Sequence, residues 1–279
     1  MTEFDRYVGP DVDVPAGDIG VGAREVGYLW GQYKRIRGAF EAGVLTGKKP
    51  GYGGSLARTE ATGYGLVYFV NEMLREANDT FVNKTVVVSG SGNVAVYAIE
   101  KAQHFGAKVV SCSDSSGYIY DAEGIDLKVV KQLKEVEGKR ISEYVTYRPN
   151  AVFTAGCSGI WTIPCDIALP CATQNEINGE QARTLIANGV KVVAEGANMP
   201  SDLEAINTFL DAGVLFGPAK AANAGGVAVS ALEMAQNSGR NYWSFQEVDE
   251  KLHDIMKSIF LQSTEAAKKY GYEGNLVIG

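Results

Sequence analysis

The chain has 279 residues, of which 46% are hydrophobic and 21% are charged, a composition typical of a globular protein large enough for two domains. Its formal net charge of −7 argues against a nucleic-acid partner, because the phosphate backbone requires a basic surface. The sequence has no run of about 18 uncharged apolar residues, and acidic residues crowd its first 20 positions. Neither a membrane segment nor a signal peptide is therefore predicted.

Two helices are predicted in the first part of the chain. The second, at about residues 59–77, contains Gly63 and Gly65, each of which costs about 1 kcal/mol relative to alanine. Close helix packing and close approach of a flat ligand explain these glycines equally well. Between the helices, Thr46–Ser55 is rich in Gly and Lys and is predicted to be an exposed loop. The first helix, at about residues 23–42, has an apolar face at helical spacing formed by Val26, Leu29, Trp30, Tyr33, Ile36 and Phe40.

From residue 84 onward, strand and helix patterns alternate. Short apolar runs predict strands near 85–89, 108–113, 166–169, 190–194 and 213–217. Amphipathic stretches predict helices near 93–105, 126–136, 179–188, 201–212, 225–237 and 247–268. This alternation predicts an α/β fold with a Rossmann-like, doubly wound and mostly parallel sheet.

The cysteines lack the spacing of a metal site. No Cys-x-x-Cys or combined Cys/His pattern occurs, so no metal site is predicted. Cys112, Cys165 and Cys171 border predicted strands, where they are expected to be small buried apolar groups. Cysteines used in this way favour a reducing, cytoplasmic location.

A glycine-rich turn joins the first strand of the alternating pattern to a helix. Val86–Val88 precede Gly90, Gly92 and Ala95, which form a Gly-x-Gly-x-x-Ala motif. In this motif the first glycine allows a tight turn, the second lets a pyrophosphate approach the backbone, and the small third residue lets helix and strand pack closely. Asp114 follows 22 residues after Gly92, near the spacing of an acid that binds ribose. The pattern favours a dinucleotide site over a glycine-rich turn without a ligand.

A second motif places one acid among glycines. Asp18 lies in the segment Pro15–Gly22, whose glycines let the backbone come close to a ligand. A carboxylate among apolar neighbours can transfer protons near neutral pH. The alternative is that Asp18 caps the helix that begins near Gly22, and the spacing alone favours this cap.

Six stretches of the chain match the motifs of one family, in that family's order. They are Pro15–Tyr28, Arg58–Gly65, Gly90–Ala95, Pro170–Asn175, Ala194–Pro200 and Lys220–Val227. Through them the sequence resembles the hexameric glutamate dehydrogenases over essentially its whole length. The related leucine, valine and phenylalanine dehydrogenases share the architecture but match these stretches less well.

The resemblance implies an oxidoreductase that deaminates L-glutamate to 2-oxoglutarate and ammonia and catalyses the reverse amination. It also implies a homohexamer of full-length chains and a role in ammonium assimilation and glutamate biosynthesis. The alternative activity is that of a branched-chain or aromatic amino-acid dehydrogenase. The alternative without catalysis is a nucleotide-binding module. Ser230 favours glutamate, because a hydroxyl suits a carboxylate better than an apolar side chain does.

The resemblance also assigns site residues by position. Asp18 is the expected catalytic proton carrier. The residues expected to border the substrate are Ala16, Val227 and Ser230, the last as a hydroxyl donor to the γ-carboxylate. The expected cofactor-binding residues are Arg58, Thr62, Ser89, Gly90, Gly92, Asn93, Val94, Asp114, Ser115, Ala172, Asn198 and Asn223.

The segment after the second strand bears on the choice between NADP and NAD. An acid at the position of Asp114 usually binds the ribose hydroxyls of NAD and repels a 2′-phosphate. The string Ser113–Gly117, however, resembles that of NADP-preferring family members, and serine hydroxyls can donate to a phosphate. NADP is therefore the expected cofactor, with NAD as the alternative. Three downstream cations can neutralise the phosphate, namely Lys134, Lys139 and Arg140.

The sequence departs from the family at both ends. It lacks the glycine-rich segment with the catalytic lysine that the family's N-terminal substrate domain supplies, and it lacks the family's closing C-terminal helix. We therefore expect a fragment that is inactive alone. Residues 1–53 would be the C-terminal part of the substrate and oligomerisation domain, and residues 54–279 the dinucleotide-binding Rossmann-like domain.

Overall fold

The computed structural model describes residues 1–18 and 20–279. They form two compact units. The first unit contains Met1–Ala61 and Gly226–Asp254, and the second contains Thr62–Gly225 and Ile255–Gly279. A late segment of the chain, Gly226–Asp254, thus belongs to the first unit, and the domain boundary after residue 53 stays a prediction.

Helices and strands alternate through most of the chain. The α-helices are α1 Ala23–Arg37, α2 Ala61–Glu76, α3 Asn93–His104, α4 Leu127–Lys131, α5 Tyr144–Tyr147, α6 Gly179–Ala187, α7 Leu203–Asp211, α8 Ala219–Ala222, α9 Gly225–Gly239 and α10 Phe245–Lys269. The strands are β1 Thr85–Val88, β2 Lys108–Val109, β3 Ser111–Asp114, β4 Gly117–Tyr120, β5 Val152–Ala155, β6 Ile167–Leu169, β7 Val192–Ala194 and β8 Leu215–Gly217. Short 3₁₀ turns occur at Phe4–Arg6, Ala42–Val44, Pro50–Tyr52, Ile141–Glu143 and Ser158–Thr162, and a π turn occurs at Gln132–Val136.

The second unit is built on a five-stranded parallel sheet with the order β2-β1-β6-β7-β8. In register, Val86 pairs with Ile167, and Val193 pairs with Phe216. β6 and β7 are wholly buried apolar runs, and β1 is buried from Val86 to Val88, as expected where helices cover both faces of a parallel sheet. The predicted doubly wound, mostly parallel fold is confirmed.

A smaller antiparallel sheet, β3-β4-β5, was not predicted from the sequence. The strand predicted near 108–113 is divided, because β2 pairs with β1 and β3 pairs with β4. Gly117 pairs with Ala155 so tightly that a Cβ on this glycine would collide with the carbonyl of Thr154. The helix predicted near 126–136 is also divided, into α4 and the π turn that follows it.

In the first unit, α1 packs its apolar face into a small core. Val26, Trp30 and Tyr33 are buried there together with Val44 and Leu45. The helix ends at Arg37 rather than near residue 42, because Gly38 adopts a left-handed conformation (φ 67°) that closes the helix.

The segment predicted to be an exposed loop, Thr46–Ser55, is exposed only at residues 49–51, and the prediction was wrong for its two ends. Thr46 and Ser55 are only 2% and 5% exposed. Side chains of α9 bind the segment, with Gln236 donating to the Ser55 hydroxyl (2.7 Å) and Asn237 donating to the Gly53 carbonyl (2.6 Å). These bonds explain why a late helix belongs with the first unit.

The two glycines inside α2 allow helices to pack closely. A Cβ on Gly63 would lie 2.5 Å from the Ala98 nitrogen and 2.6 Å from the Val94 carbonyl oxygen of α3. A Cβ on Gly65 would lie 2.8 Å from the Cα of Gly225. Of the two interpretations left open by the sequence, the structure therefore supports helix packing.

Cys112, Cys165 and Cys171 are buried, as predicted, and burial raises the pKa of the Cys165 thiol to about 12. In the described part of the chain, no helix combines the length and the apolar character needed to cross a bilayer.

Candidate active site

The predicted phosphate-binding turn lies between β1 and α3. Gly90 has a φ of 86°, and a Cβ at this position would lie 3.0 Å from the carbonyl oxygen of Cys171, so the turn requires glycine. Gly92 is exposed, and a Cβ built on it would meet no described atom within 4 Å. Gly92 also begins α3 without a side-chain cap, which leaves the backbone N–H groups of the first turn available to an anion. The geometry therefore fits the pyrophosphate of a dinucleotide.

Serine hydroxyls hold this turn in place. Ser113 accepts from the Gly90 N–H (2.7 Å), and Ser89 accepts from the Cys171 N–H (2.9 Å). Ser89 is only 1% exposed. In this structure the Ser89 side chain therefore joins the turn to the loop after β6, whereas Asn93, one residue beyond Gly92, is exposed.

Asp114, at the end of β3, has both carboxylate oxygens engaged by the chain itself. One oxygen accepts from the backbone and hydroxyl of Ser116 (2.8 and 2.5 Å), and the other accepts from the Ile141 N–H (2.9 Å) and lies 3.6 Å from the Lys134 ammonium. Burial opposes ionisation, but these hydrogen bonds and the Lys134 charge together hold the pKa of Asp114 below its ordinary value. The acid is therefore an ionised carboxylate with a balancing cation.

Of the three downstream cations, Arg140 reaches the exposed serine. Its guanidinium donates to the Ser115 hydroxyl (2.6 Å), and both residues are exposed. Lys139 pairs instead with Glu137 (2.8 Å). A hydroxyl and a guanidinium thus lie beside an already neutralised acid, which is the set of groups that a 2′-phosphate requires.

Other predicted cofactor residues lie on the loops after β6, β7 and β8. Asn223 donates to the side-chain oxygen of Asn198 (2.9 Å). Ala172 is exposed, but its N–H donates to a Glu176 carboxylate oxygen (3.0 Å) and is therefore occupied. Thr62 is half-buried at the start of α2.

Asp18 does not cap α1. The cap residue is Gly22, whose N–H donates to the Glu25 carboxylate (2.9 Å), so the alternative interpretation of Asp18 was wrong. The Asp18 carbonyl accepts from the Val21 N–H (2.8 Å) in a tight turn, and Asp18 is exposed. Within the first unit, the described residues therefore do not enclose this carboxylate in a dry pocket.

Within the first unit, the side chains of Arg58 and Ser230 are hydrogen-bonded. Arg58 donates from Nε to the Ser230 hydroxyl (3.0 Å), and Ser230 is 7% exposed on α9. Val227, one turn earlier on α9, is 70% exposed. Burial lowers the pKa of Arg58, with the charge of Glu233 acting against this, and the guanidinium stays charged at neutral pH. Arg58, assigned to the cofactor by resemblance, thus lies against a residue assigned to the substrate.

The sequence did not reveal two further features of this region. Thr46 donates its N–H to the Pro15 carbonyl (3.1 Å), next to Ala16, and its buried hydroxyl has no hydrogen-bond partner among the described residues. Lys48 and Glu233 form a fully buried ion pair (2.6 Å). One signal was present, because Glu233 is the one charged residue in the α9 sequence.

The Lys48–Glu233 pair also fixes the backbone. Glu233 accepts from the N–H groups of Gly47 (3.1 Å) and Lys48 (3.4 Å), and the Lys48 ammonium also donates to the Leu45 carbonyl. Burial lowers the pKa of Lys48, and the Glu233 carboxylate opposes this shift. The pair therefore holds the backbone beside Thr46 in one conformation.

Comparisons with known proteins agree with the fold and with these motifs. Residues 53–279 match the family model described as Glutamate/Leucine/Phenylalanine/Valine dehydrogenase, and residues 1–35 match the model described as Glu/Leu/Phe/Val dehydrogenase, dimerisation domain. The chain therefore belongs to the Glutamate/Leucine/Phenylalanine/Valine dehydrogenase family.

Individual relatives are similar over the whole chain. The NADP-specific glutamate dehydrogenase of Helicobacter pylori is 54% identical over 285 residues, covering 100% of this chain and 63% of the relative. The NAD(P)-specific glutamate dehydrogenase of Xylanibacter ruminicola is 55% identical, covering 98% and 61% respectively. A crystal structure of Plasmodium falciparum glutamate dehydrogenase superposes with a TM-score of 0.96 at 49% identity, covering 100% of this chain and 60% of that one. The chain thus spans about three fifths of the length of these relatives.

Proposed function

We propose that this chain is part of an NADP-dependent glutamate dehydrogenase, which deaminates L-glutamate to 2-oxoglutarate and ammonia and catalyses the reverse amination. The observation that carries the proposal is the hydrogen bond between Arg58 and Ser230. A half-buried guanidinium beside a hydroxyl suits the γ-carboxylate of glutamate. In a dehydrogenase for leucine or phenylalanine, the same cation would face an apolar side chain without compensation. The printed names of the relatives agree with this choice of substrate.

The second unit would bind the dinucleotide. NADP(H), when bound, supplies or accepts the hydride. Gly90, Gly92 and the first turn of α3 would hold the pyrophosphate, and Asn93 and Thr62 are proposed to lie towards the nicotinamide. Asn198 and Asn223, which bond each other, would line the same site.

The preference for NADP rests on the state of Asp114. An unpaired carboxylate would repel the 2′-phosphate. Both oxygens of Asp114, however, already accept hydrogen bonds from the chain, and the Lys134 ammonium balances its charge. Ser115 and Arg140 would then donate to the phosphate. NAD would lack that phosphate and would gain nothing from these two donors.

The first unit would bind the amino acid and move protons. Asp18 is proposed as the carboxylate that exchanges protons with the substrate amino group and with the carbinolamine formed on hydration of the imine. Ala16 and Val227 are proposed to border the substrate side chain, whose γ-carboxylate would accept from Ser230. These roles divide the reaction into a substrate part in the first unit and a dinucleotide part in the second.

The proposal extends to the full-length protein. The match of residues 1–35 to a dimerisation-domain model supports assembly with other copies of the chain, which we propose form a homohexamer. The four cysteines are free, which suits a reducing cytoplasm. There the enzyme would serve ammonium assimilation and glutamate biosynthesis.

The proposal can be tested by grafting this chain into the Helicobacter pylori relative in place of the segment that it matches. NADPH oxidation is followed with ammonium and either 2-oxoglutarate or 4-methyl-2-oxopentanoate. We expect turnover with 2-oxoglutarate, and we expect Asp18→Asn in the same graft to abolish it without changing NADPH affinity. A preference for the branched-chain oxo acid would disprove the substrate assignment, and an active Asp18→Asn graft would disprove the role of Asp18.

A further inference from the structure

Glu176 lies immediately beyond the loop that follows β6, and its carboxylate binds that loop. One oxygen accepts from the backbone N–H groups of Ala172 (3.0 Å) and Thr173 (3.3 Å). Without this acceptor, both amides would lose the partner that fixes them within the chain. The carboxylate therefore determines the conformation of the loop.

The loop that this carboxylate binds is linked to the phosphate-binding turn. The Ser89 hydroxyl accepts from the Cys171 N–H (2.9 Å), one residue before Ala172. Gly90, which follows Ser89, is in close contact with the backbone of Cys171. A displacement of the loop after β6 would therefore change the space beside the glycine turn.

On its other side, the loop is joined to the one that carries Asn198. Asn175 donates its N–H to the Met199 carbonyl (2.9 Å), and Ile177 donates to the Pro200 carbonyl (2.9 Å). Asn175 and Met199 have positive φ values of 54° and 49°, conformations that non-glycine residues adopt only where surrounding contacts hold them. Glu176 therefore binds a loop that hydrogen bonds connect to the glycine turn after β1 and to the loop after β7.

We propose that Glu176 is a positioning residue for the dinucleotide. It holds the loop after β6 against the glycine turn and raises affinity through the two amides that it binds, without touching the ligand itself. This inference rests on the proposed function only in taking NADP(H) as the ligand.

The role requires an acceptor and not a negative charge. Burial raises the pKa of Glu176, although the hydrogen bonds from the Ala172 and Thr173 amides act against this. A glutamine can accept from the same two N–H groups with its side-chain oxygen. Glu176→Gln should therefore preserve the arrangement, whereas Glu176→Ala should release the loop.

The test measures NADPH affinity by fluorescence titration of the 279-residue chain, its Glu176→Ala and Glu176→Gln variants, and a Glu180→Ala control that removes an exposed carboxylate nearby. We expect Glu176→Ala to weaken binding about tenfold or more, on the scale of losing hydrogen bonds to a charged group. The NADPH affinity of Glu176→Gln should stay within about threefold of that of the parent chain. The affinity of the Glu180→Ala control should equal that of the parent chain. Hydrogen exchange at the amides of Ala172 and Thr173 should accelerate in Glu176→Ala alone.

Each contrary result has a distinct meaning. Unchanged affinity in Glu176→Ala, or equal weakening in the alanine and glutamine variants, would overturn the inference. If Glu176→Ala does not fold, Ser89→Ala removes the hydrogen bond between the glycine turn and Cys171 but keeps the carboxylate, and unchanged NADPH affinity in that variant would also overturn the inference. A parent chain that binds no NADPH would contradict the proposed function instead, and exchange at Ala172 and Thr173 would still show whether Glu176 holds the loop.

Discussion

Both compact units use glutamate side chains to hold loops, but the two units satisfy these carboxylates differently. In the first unit, Glu233 is wholly buried and paired with the Lys48 ammonium. In the second, Glu176 and Glu195 are bound by uncharged donors, and Glu195 accepts from the N–H groups of Ser201 (3.1 Å) and Ala219 (2.8 Å). One arrangement depends on two opposite charges, and the other depends on backbone geometry.

The difference has consequences for each carboxylate. A buried ion pair tolerates the loss of neither member, because the remaining charge is left in a medium of low dielectric constant. Burial raises the pKa of Glu176 and of Glu195, and the hydrogen bonds that they accept offset this only in part. We therefore expect the first unit to lose far more stability when the Lys48 charge is deleted than the second unit loses when the charge of Glu176 or Glu195 is deleted.

The largest expected effect comes from breaking the ion pair. Lys48→Met should lower the free energy of unfolding of the first unit by about 3 to 5 kcal/mol, because Glu233 is left buried and unpaired. Urea denaturation followed by tryptophan fluorescence in a Trp161→Phe background reports on this unit, since Trp30 and Trp243 belong to it.

The matched control for this experiment removes both charges. Lys48→Met combined with Glu233→Leu should recover most of the lost stability, because no uncompensated charge remains. A double variant as unstable as the single one would show that the pair acts through its hydrogen bonds to Gly47 and Leu45 and not through charge balance.

The next prediction compares two helical glycines, one with a crowded Cβ position in α2 and one with an open Cβ position in α1. Gly63→Ala should destabilise the second unit by about 1 to 3 kcal/mol, because its Cβ would press on the Ala98 nitrogen and on the Val94 carbonyl. Gly31→Ala, in α1, should stabilise the first unit by up to about 1 kcal/mol, because a Cβ there meets no described atom within 4 Å. Thermal denaturation of both variants checks the two signs, and stabilisation by Gly63→Ala would contradict the packing.

Some features of the fold and of the candidate site can be predicted from the sequence alone. The parallel strands and the glycine turn at Gly90 were predicted because each is a local pattern of apolar runs or backbone freedom. The antiparallel strands β4 and β5 were missed because they depend on a pairing between Gly117 and Ala155, far apart in the chain. Asp114 was found from its spacing, but the neutralising role of Lys134 required the fold.

The segment Thr46–Ser55 shows why composition alone can mislead. Its glycines and lysines are typical of an exposed loop, yet the carboxylate that binds the Gly47 N–H and the buried Lys48 ammonium is Glu233, 186 residues after Gly47 in the chain. No local pattern can reveal such a partner. The closest available signal was the single charge in α9, which a buried helix carries only if that charge is satisfied.

A smaller effect concerns Asp114 in the second unit, whose carboxylate lies 3.6 Å from the Lys134 ammonium. Arg140→Gln should weaken NADPH binding about tenfold, on the scale of one charge-assisted hydrogen bond, and leave NADH binding unchanged. Lys139→Gln is the matched control, because Lys139 pairs with Glu137 and should not affect either dinucleotide. Equal losses for NADPH and NADH in Arg140→Gln would indicate a role in loop structure instead of phosphate recognition.

The smallest expected effect is a pH dependence of stability, which distinguishes a carboxylate bound by uncharged donors from one paired with a cation. Because burial raises the folded-state pKa of Glu195 above its unfolded value, the folded state binds the proton more tightly. Protonated Glu195 therefore contributes its full stabilisation at pH values below the pKa of Glu195 in the unfolded chain. This stabilisation is lost as the pH rises through the pKa of Glu195 in the folded chain. Between pH 7 and pH 5, the parent chain should gain stability relative to Glu195→Gln, whose amide does not titrate in this range.

Urea denaturation at several pH values, followed through Trp161 in a Trp30→Phe, Trp243→Phe background, measures this difference. All other titrating groups are common to the parent chain and to Glu195→Gln, so their contributions cancel. A parent that loses stability relative to the variant on acidification would place the folded pKa of Glu195 below its unfolded value. In that event the backbone donors of Ser201 and Ala219 would stabilise the ionised form as effectively as a buried cation does, and the contrast between the two units would disappear.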